Sequence, residues 1–415
     1  MNRKHFLRVW IAALVAFGPH VRGAEATLSL QDAINQALAS RVSLKAESDR
    51  ISVAQGLLRQ ARAIPNPEFQ FQNENLRPGQ TYTRDVDTLA MINQPLDVLG
   101  KRSARIEAAG KNVARSQADY DLARWEVVRN VRLTYWAARG VQEVRDILRT
   151  TADNFQKTVD YNAAKLSAGA IPEQDLIRVR LEHERLNIAA NLAAIDANTA
   201  RIELLKQMGK TGFAEMVLVE PLTVEKIIEP LGADQVLGQR PEIRAAKAAL
   251  AEAEANARFQ DVAARPDLNV TYGYKRTELP DTTYGVNTAI VSVRVTLPVT
   301  DKNRGNRAAA QAEVRRQQDL LAAAENDIRM EYSGALEEFQ MRRAEVVKIL
   351  GPLREDAAEI SRIASAAYAE GGVDLLRFLD AERARLDADL AWVRGMADYW
   401  QSVAKLEAAE GVGEE

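Results

Sequence analysis

The chain has 415 residues, 27% of them charged and 47% hydrophobic, with a formal charge of −3 and no cysteine. It lacks the repeated apolar runs of about 20 residues that a polytopic helical membrane protein needs, and the basic excess of a nucleic-acid binder. Without cysteine there is no disulfide framework, thiolate zinc site, iron–sulfur cluster or lipid-modified N-terminal Cys.

Arg3, Lys4 and Arg8 open the chain, Val9 to Gly18 is almost wholly apolar, and small residues follow at Gly23, Ala24 and Ala26. This is the layout of a secretory signal peptide over residues 1–26, cleaved after Gly23 or after Ala26. Its removal takes four basic residues and one acidic one, so the exported chain is acidic. Of the three histidines only His183 remains.

The prolines draw the map. They cluster at 65, 67, 78 and 95, at 221, 230 and 241, and at 266, 280 and 298, with Pro172 and Pro352 standing apart. Proline is nearly excluded from helix interiors. The stretches between clusters are rich in good helix formers, and apolar residues recur at three- and four-residue steps, as at Val128, Val131 and Tyr135. A long helix is expected over about 100–168, turning at Gly169–Pro172 into a return helix over 173–208. A shorter helix over about 240–263 precedes a second long one over about 304–370, which turns at Gly371-Gly372 into 374–410. Gly351-Pro352 should kink or interrupt that second long helix. The first long helix would run roughly 100 Å. Helices of this length pack as coiled coils or as staves of a tube.

The chain reads as a tandem duplication, with repeats over 27–225 and 226–415. Arg41-Val42 aligns with Arg240-Pro241, Pro67 with Pro266, and Asp175-Leu176 with Asp374-Leu375, each 199 residues apart. Each repeat carries a two-strand insert, at about 67–76 and 86–95 and at about 267–276 and 287–298. Leu268, Val270, Tyr272 and Tyr274 alternate with polar residues, as do Ala289, Val291, Val293 and Val295, with Ile290 the misfit. Thr88 to Gln94 shows no clear period and is placed only by the repeat. Strands apolar on one face and polar on the other, in an exported chain, match an outer-membrane barrel. Arg294 on the polar face fits an aqueous lumen, since a lipid-facing Arg costs roughly 2–4 kcal/mol at the midplane. Four strands cannot close a barrel, so they must be shared among copies, two giving eight strands and three giving twelve.

The motifs LSLQDAINQAL (28–38), ARAIPNPEF (61–69), QPLDVLGKRSAR (94–105), RPEIRAAKAALAEAEA (240–255) and AYAEGGVDLLRFLDAE (367–382) carry a resemblance to the TolC-type outer-membrane efflux family over about Leu28–Glu410. The resemblance implies a mainly α fold of long hairpins forming a periplasmic tube, with a 12-stranded membrane β-barrel closed by a homotrimer. It also implies a belt near residues 28–39 and 222–237. Gln94-Pro95-Leu96 followed by Gly100-Lys101-Arg102 resembles the cobalt–zinc–cadmium branch, although Gly100 also reads as a plain strand-to-helix turn. Many members of that branch carry a lipidated Cys. Here anchorage is expected from the barrel alone.

Asp301, Asn303 and Gly305 miss the calcium-loop spacing, Gly100-Lys101 lacks the rest of a phosphate loop, and His183-Glu184 has no second His. No catalytic site, cofactor or resident metal is expected, and the chain is not expected to be an enzyme. The candidate functional residues are the hairpin tips: Gly169, Asp175, Gly371, Gly372 and Asp374. The Asp residues read equally as helix caps or as rings of like charge favouring cations in an assembly. By resemblance the tips form the gate, and Tyr368 and Arg377 sit where the family's gating contacts lie. The leading reading is a passive exit duct in the outer membrane, reaching into the periplasm. Its expected partners are a periplasmic adaptor, an inner-membrane pump and outer-membrane lipid, with divalent heavy-metal cations as cargo. Drug efflux or type I protein secretion through the same duct, and a periplasmic adaptor or coiled-coil scaffold, are the alternatives.

Overall fold

The computed structural model describes residues 26–76, 78–79, 86–224, 231–277 and 285–411. The expected signal peptide therefore lies outside the described residues except for Ala26, as does part of the expected 222–237 belt. In chain order the elements are β1 (Ala26–Leu28), α1 (Leu30–Ser40), α2 (Val42–Arg62), β2 (Glu68–Glu74), β3 (Asp87–Leu96), α3 (Lys101–Ser167) and α4 (Glu173–Gln207). Then come β4 (Met216–Leu218), α5 (Ala233–Gln239), α6 (Pro241–Ala263), β5 (Asp267–Thr277), β6 (Val286–Thr296), α7 (Arg304–Glu345), α8 (Gly351–Ala369) and α9 (Leu375–Ala409).

α3 has 67 residues and is unbroken, about 100 Å of helix. It is the spine of the molecule. Near the strands the helices lie in the order α2, α3, α6, α7; toward the far end the order is α4, α3, α9, α8. The interruption expected at Gly351-Pro352 is present, and two strands, β2 and β6, end short of their expected bounds. The helix expected over 304–370 is divided by a π turn at Val346–Leu350. Pro352 has no N–H to donate, and the wider turn above it, with Gly351 N–H bonded back to Val346, accommodates the lost helical bond. β2 spans seven residues, shorter than the 67–76 expected, and Asn75, at φ 63, turns the chain out of the strand. β6 likewise ends at Thr296, short of the expected 298.

The four inserts form one antiparallel sheet in the order β2-β3-β5-β6. The join between repeats is β3 against β5, with Ile92 opposite Tyr272 and Leu96 opposite Leu268. One face carries the row Phe69, Ile92, Tyr272, Val291 and the other the row Glu68, Asn93, Thr271, Ser292. Ile290, the misfit, stands opposite Gly273. A Cβ on Gly273 would run into the Ala90 carbonyl and Met91, so the position must be glycine and the larger Ile290 sits beside it. β3 showed no period because it is an inner strand with apolar residues on both faces: Ala90 and Ile92 on one, Leu89 and Met91 on the other. Among the described residues no helix is long and apolar enough to cross a membrane.

Among the described residues three apolar clusters hold the staves together. One joins β1, α1, β4 and the middle of α3 around Val131, Tyr135 and Leu204. A second packs α7 against α9 around Tyr332, Phe339 and Tyr399. The third fills the far end, where α3, α4 and α9 meet at Ala152, Val179 and Leu379. The Tyr135 hydroxyl donates to the Leu28 carbonyl at 2.8 Å. Burial pushes its pKa up to about 12.

Candidate functional site

The two hairpins end in the same local device. After α3, Gly169 takes φ 72, and Gly169 and Ala170 N–H donate to the Leu166 and Lys165 carbonyls, both at 2.9 Å. After α8, Gly371 takes φ 80, with Gly371 donating to Tyr368 at 3.2 Å and Gly372 to Ala367 at 2.7 Å. The left-handed residue satisfies carbonyls that a helix end leaves open. Only Gly169 and Gly371 need this conformation. A Cβ on Gly372 would sit 3.5 Å from the Ala367 carbonyl oxygen, an ordinary contact.

Asp175 and Asp374 align in sequence but differ in place. Asp374 is the N-cap of α9, and its carboxylate accepts the Arg377 N–H at 2.9 Å. Asp175 lies inside the first turn of α4, where Pro172 is the cap residue and no side chain caps the helix. α4 thus starts three residues earlier in its repeat than α9 does. Arg377 is exposed, and only its backbone joins the cap.

Tyr368 ties the two hairpins together. Its hydroxyl donates to Asn162 Oδ1 at 2.6 Å, joining α8 to α3. Asn162 is fully buried, and its amide donates to the Thr158 carbonyl at 2.8 Å. The Tyr368 ring stacks on Phe378 with centroids 4.8 Å apart, and Lys165 Nζ lies 4.8 Å from its ring centre. Burial raises the Tyr368 pKa. A groove of about 430 Å³ opens beside this contact, lined by Phe155, Tyr161, Tyr368 and Arg385 among others. Farther up, Arg383 of α9 grips the buried Glu182 of α4, with Nε 2.9 Å from Oε1. That guanidinium holds the Glu182 carboxyl below its usual range. Asn162, Glu182 and Arg383 were not among the sequence candidates, since their partners lie about 200 residues away and no local motif marks them. Arg294, at the other end of the molecule, falls on the polar face of β6, opposite Asn269, and is exposed. It is not near the tips.

The family model for outer membrane efflux protein matches residues 33–210 and 232–412. The chain belongs to the outer membrane efflux protein family. It is accordingly an efflux channel of the outer membrane and not an enzyme. Among outer membrane efflux proteins it is similar to the cobalt-zinc-cadmium resistance protein CzcC of Cupriavidus metallidurans, at 26% identity over 94% of this chain and 91% of that protein. The cation efflux system protein CusC of Escherichia coli K12 is 25% identical over 84% of this chain and 79% of its own. A crystal structure of CusC superposes with a TM-score of 0.74, at 19% identity, over 93% of this chain and 92% of that one. At that identity the likeness shows the fold alone.

Proposed function

We propose that this channel is the exit duct of a tripartite pump for divalent heavy-metal cations. It works as a homotrimer with a periplasmic adaptor and an inner-membrane pump of the resistance-nodulation-division class. The observation that carries the cargo reading is the likeness to CzcC over 94% of the chain.

The assembly reading is supported by two free edges that run the length of the molecule. One is β2, α2 and α4; the other is β6, α7 and α8. α4 exposes Leu181, Ile188, Ile195 and Ile202 at seven-residue spacing, and α8 exposes Leu353, Ile360 and Ile363. Such stripes are coiled-coil seams awaiting a partner helix. Unlike edges on opposite sides of one chain make a head-to-tail contact, and a rotation that closes it forms a ring. Three copies of the four-stranded sheet give a barrel of twelve strands. In that ring Asp175, Asp374 and the tip turns at Gly169 and Gly371-Gly372 gather at the narrow end and favour cations. Tyr368 and Arg377 act there as gate contacts, and Arg294 lines the barrel.

The test is retention of zinc, cobalt, cadmium, nickel and copper in a deletion strain that expresses the partner pump, with and without the gene restored. Accumulation of one or more ions that the gene reverses is the expected result. No change in any ion overturns the metal reading in favour of drug or protein export.

A further inference from the structure

We propose that each sheet edge closes on the neighbouring copy in one register, with Glu68 of β2 opposite Arg294 of β6 across the seam. The proposal deepens the ring reading above and rests on it.

The in-sheet register fixes the faces. Phe69 and Phe71 share the apolar face with Val291 and Val293, while Glu68 and Gln70 share the polar face with Ser292 and Arg294. Strand direction alternates across the sheet, so β6 runs opposite to β2. The two free edges can therefore pair antiparallel. Both edges are open: β2 is exposed from Glu68 to Gln72, and every β6 residue except Ile290 is exposed. Open edges are not tolerated in lipid, so something must cover them, and the one strand each edge is matched to is the other.

The charges select the register. Arg294 is the only cation on the polar face of β6, and it makes no ion pair among the described residues. The polar face of β2 carries two acids. Glu74 is engaged by Lys275 at 3.4 Å. Glu68 makes no ion pair among the described residues and accepts the Asn93 amide at 3.3 Å. Glu68 begins β2, and Arg294 lies two residues before the end of β6, so both sit at the end of the sheet nearest the helices. Setting them opposite places Gln70 against Ser292 on the polar face. On the apolar face it places Phe69 against Val293 and Phe71 against Val291. Opposite charges and aromatic–β-branched pairs both favour a strand pairing. A one-residue slip would turn both Phe side chains onto the polar face. A two-residue slip keeps the faces but sets Glu68 against Ser292 or Thr296, leaving both charges without their match.

The cysteine-free chain makes the test direct. Gln70→Cys with Ser292→Cys, oxidised in the purified full-length protein, should give a denaturing-gel ladder of linked chains. The pairs Gln72→Cys with Ser292→Cys and Gln72→Cys with Thr288→Cys report the slipped registers and should link poorly. Separately, Glu68→Arg and Arg294→Glu should each lower the temperature at which the assembly dissociates, and the double exchange should restore most of the loss. Preferential linking of a slipped pair, or a double exchange no better than either single change, overturns this pairing while leaving the ring intact. A chain that light scattering finds monomeric and that links in none of the three pairs overturns the ring reading itself.

Discussion

Arg240 donates a hydrogen bond to the Ala408 carbonyl at 2.9 Å, and Arg41, its counterpart 199 residues earlier, donates to the Gln207 carbonyl at 2.8 Å. Each arginine stands where two helices meet at the start of a repeat and clamps the last turn of that repeat's returning helix. A cation there also suits the helix dipole. The two clamps differ in depth. Arg240 is 1% exposed, lies over the Trp125 ring and is paired with Glu242 and Glu331.

Arg240→Ala should therefore cost more than Arg41→Ala. Removing one member of a buried charge group costs about 3 kcal/mol when the partners keep some contact with water, and Glu331 is 43% exposed. Arg41 is only half-buried, and its loss should cost about 1 kcal/mol. Denaturant titration in detergent, followed by helical circular dichroism, checks the order. Equal costs would show that burial does not distinguish the two clamps.

The long helices were legible because proline, periodicity and repeat each marked them, and so were three of the strand inserts; β3, apolar on both faces, was placed by the repeat alone. What was not legible depended on partners far along the chain. β1 pairs with β4 over three residues, too few to show a period. Asn162 reads as one polar residue in a long helix until Tyr368 is placed beside it. The repeat alignment suggested one role for Asp175 and Asp374, but the cap geometry separates them because Pro172 lets α4 begin earlier. The tips were thus found by sequence, and their contacts were not.

That difference separates capping from charge. Asp374→Ala should lose about 1 kcal/mol of helix stability, and Asp175→Ala, which removes no cap bond, should lose little. If both residues form charge rings at a gate, both substitutions should reduce cation preference in planar-bilayer conductance to a similar degree. A loss of stability in Asp374→Ala, with conductance and cation preference unchanged in both variants, would sink the gate role.

Tyr368→Phe keeps the stacked ring and removes the hydroxyl, leaving the buried Asn162 oxygen without its donor. An unsatisfied buried polar group costs about 1–3 kcal/mol. Since the bond joins α8 to α3 near the tip, its loss should raise single-channel conductance as well as lower the melting temperature. Asn162→Ala should do the same, and the double variant should add little to either single one, because both remove one interaction. Additive effects would mean that the two residues act separately.

The Glu182–Arg383 pair gives the far end a dependence on acid. Its folded pKa lies below the ordinary value of 4.5, chiefly through the Arg383 hydrogen bond. A depressed carboxylate contributes its full stability above the unfolded value and loses it as pH falls through the folded one. Glu182→Gln should therefore melt lower than the parent chain at neutral pH. The gap should narrow once pH drops below 4.5, as the parent carboxylate also becomes neutral. Arg383 stays charged throughout, so the titrating group is the glutamate. Thermal melts of both proteins at a series of pH values measure the gap directly. A gap that stays constant into strong acid would mean that Glu182 contributes by packing, and that the ion pair adds nothing measurable.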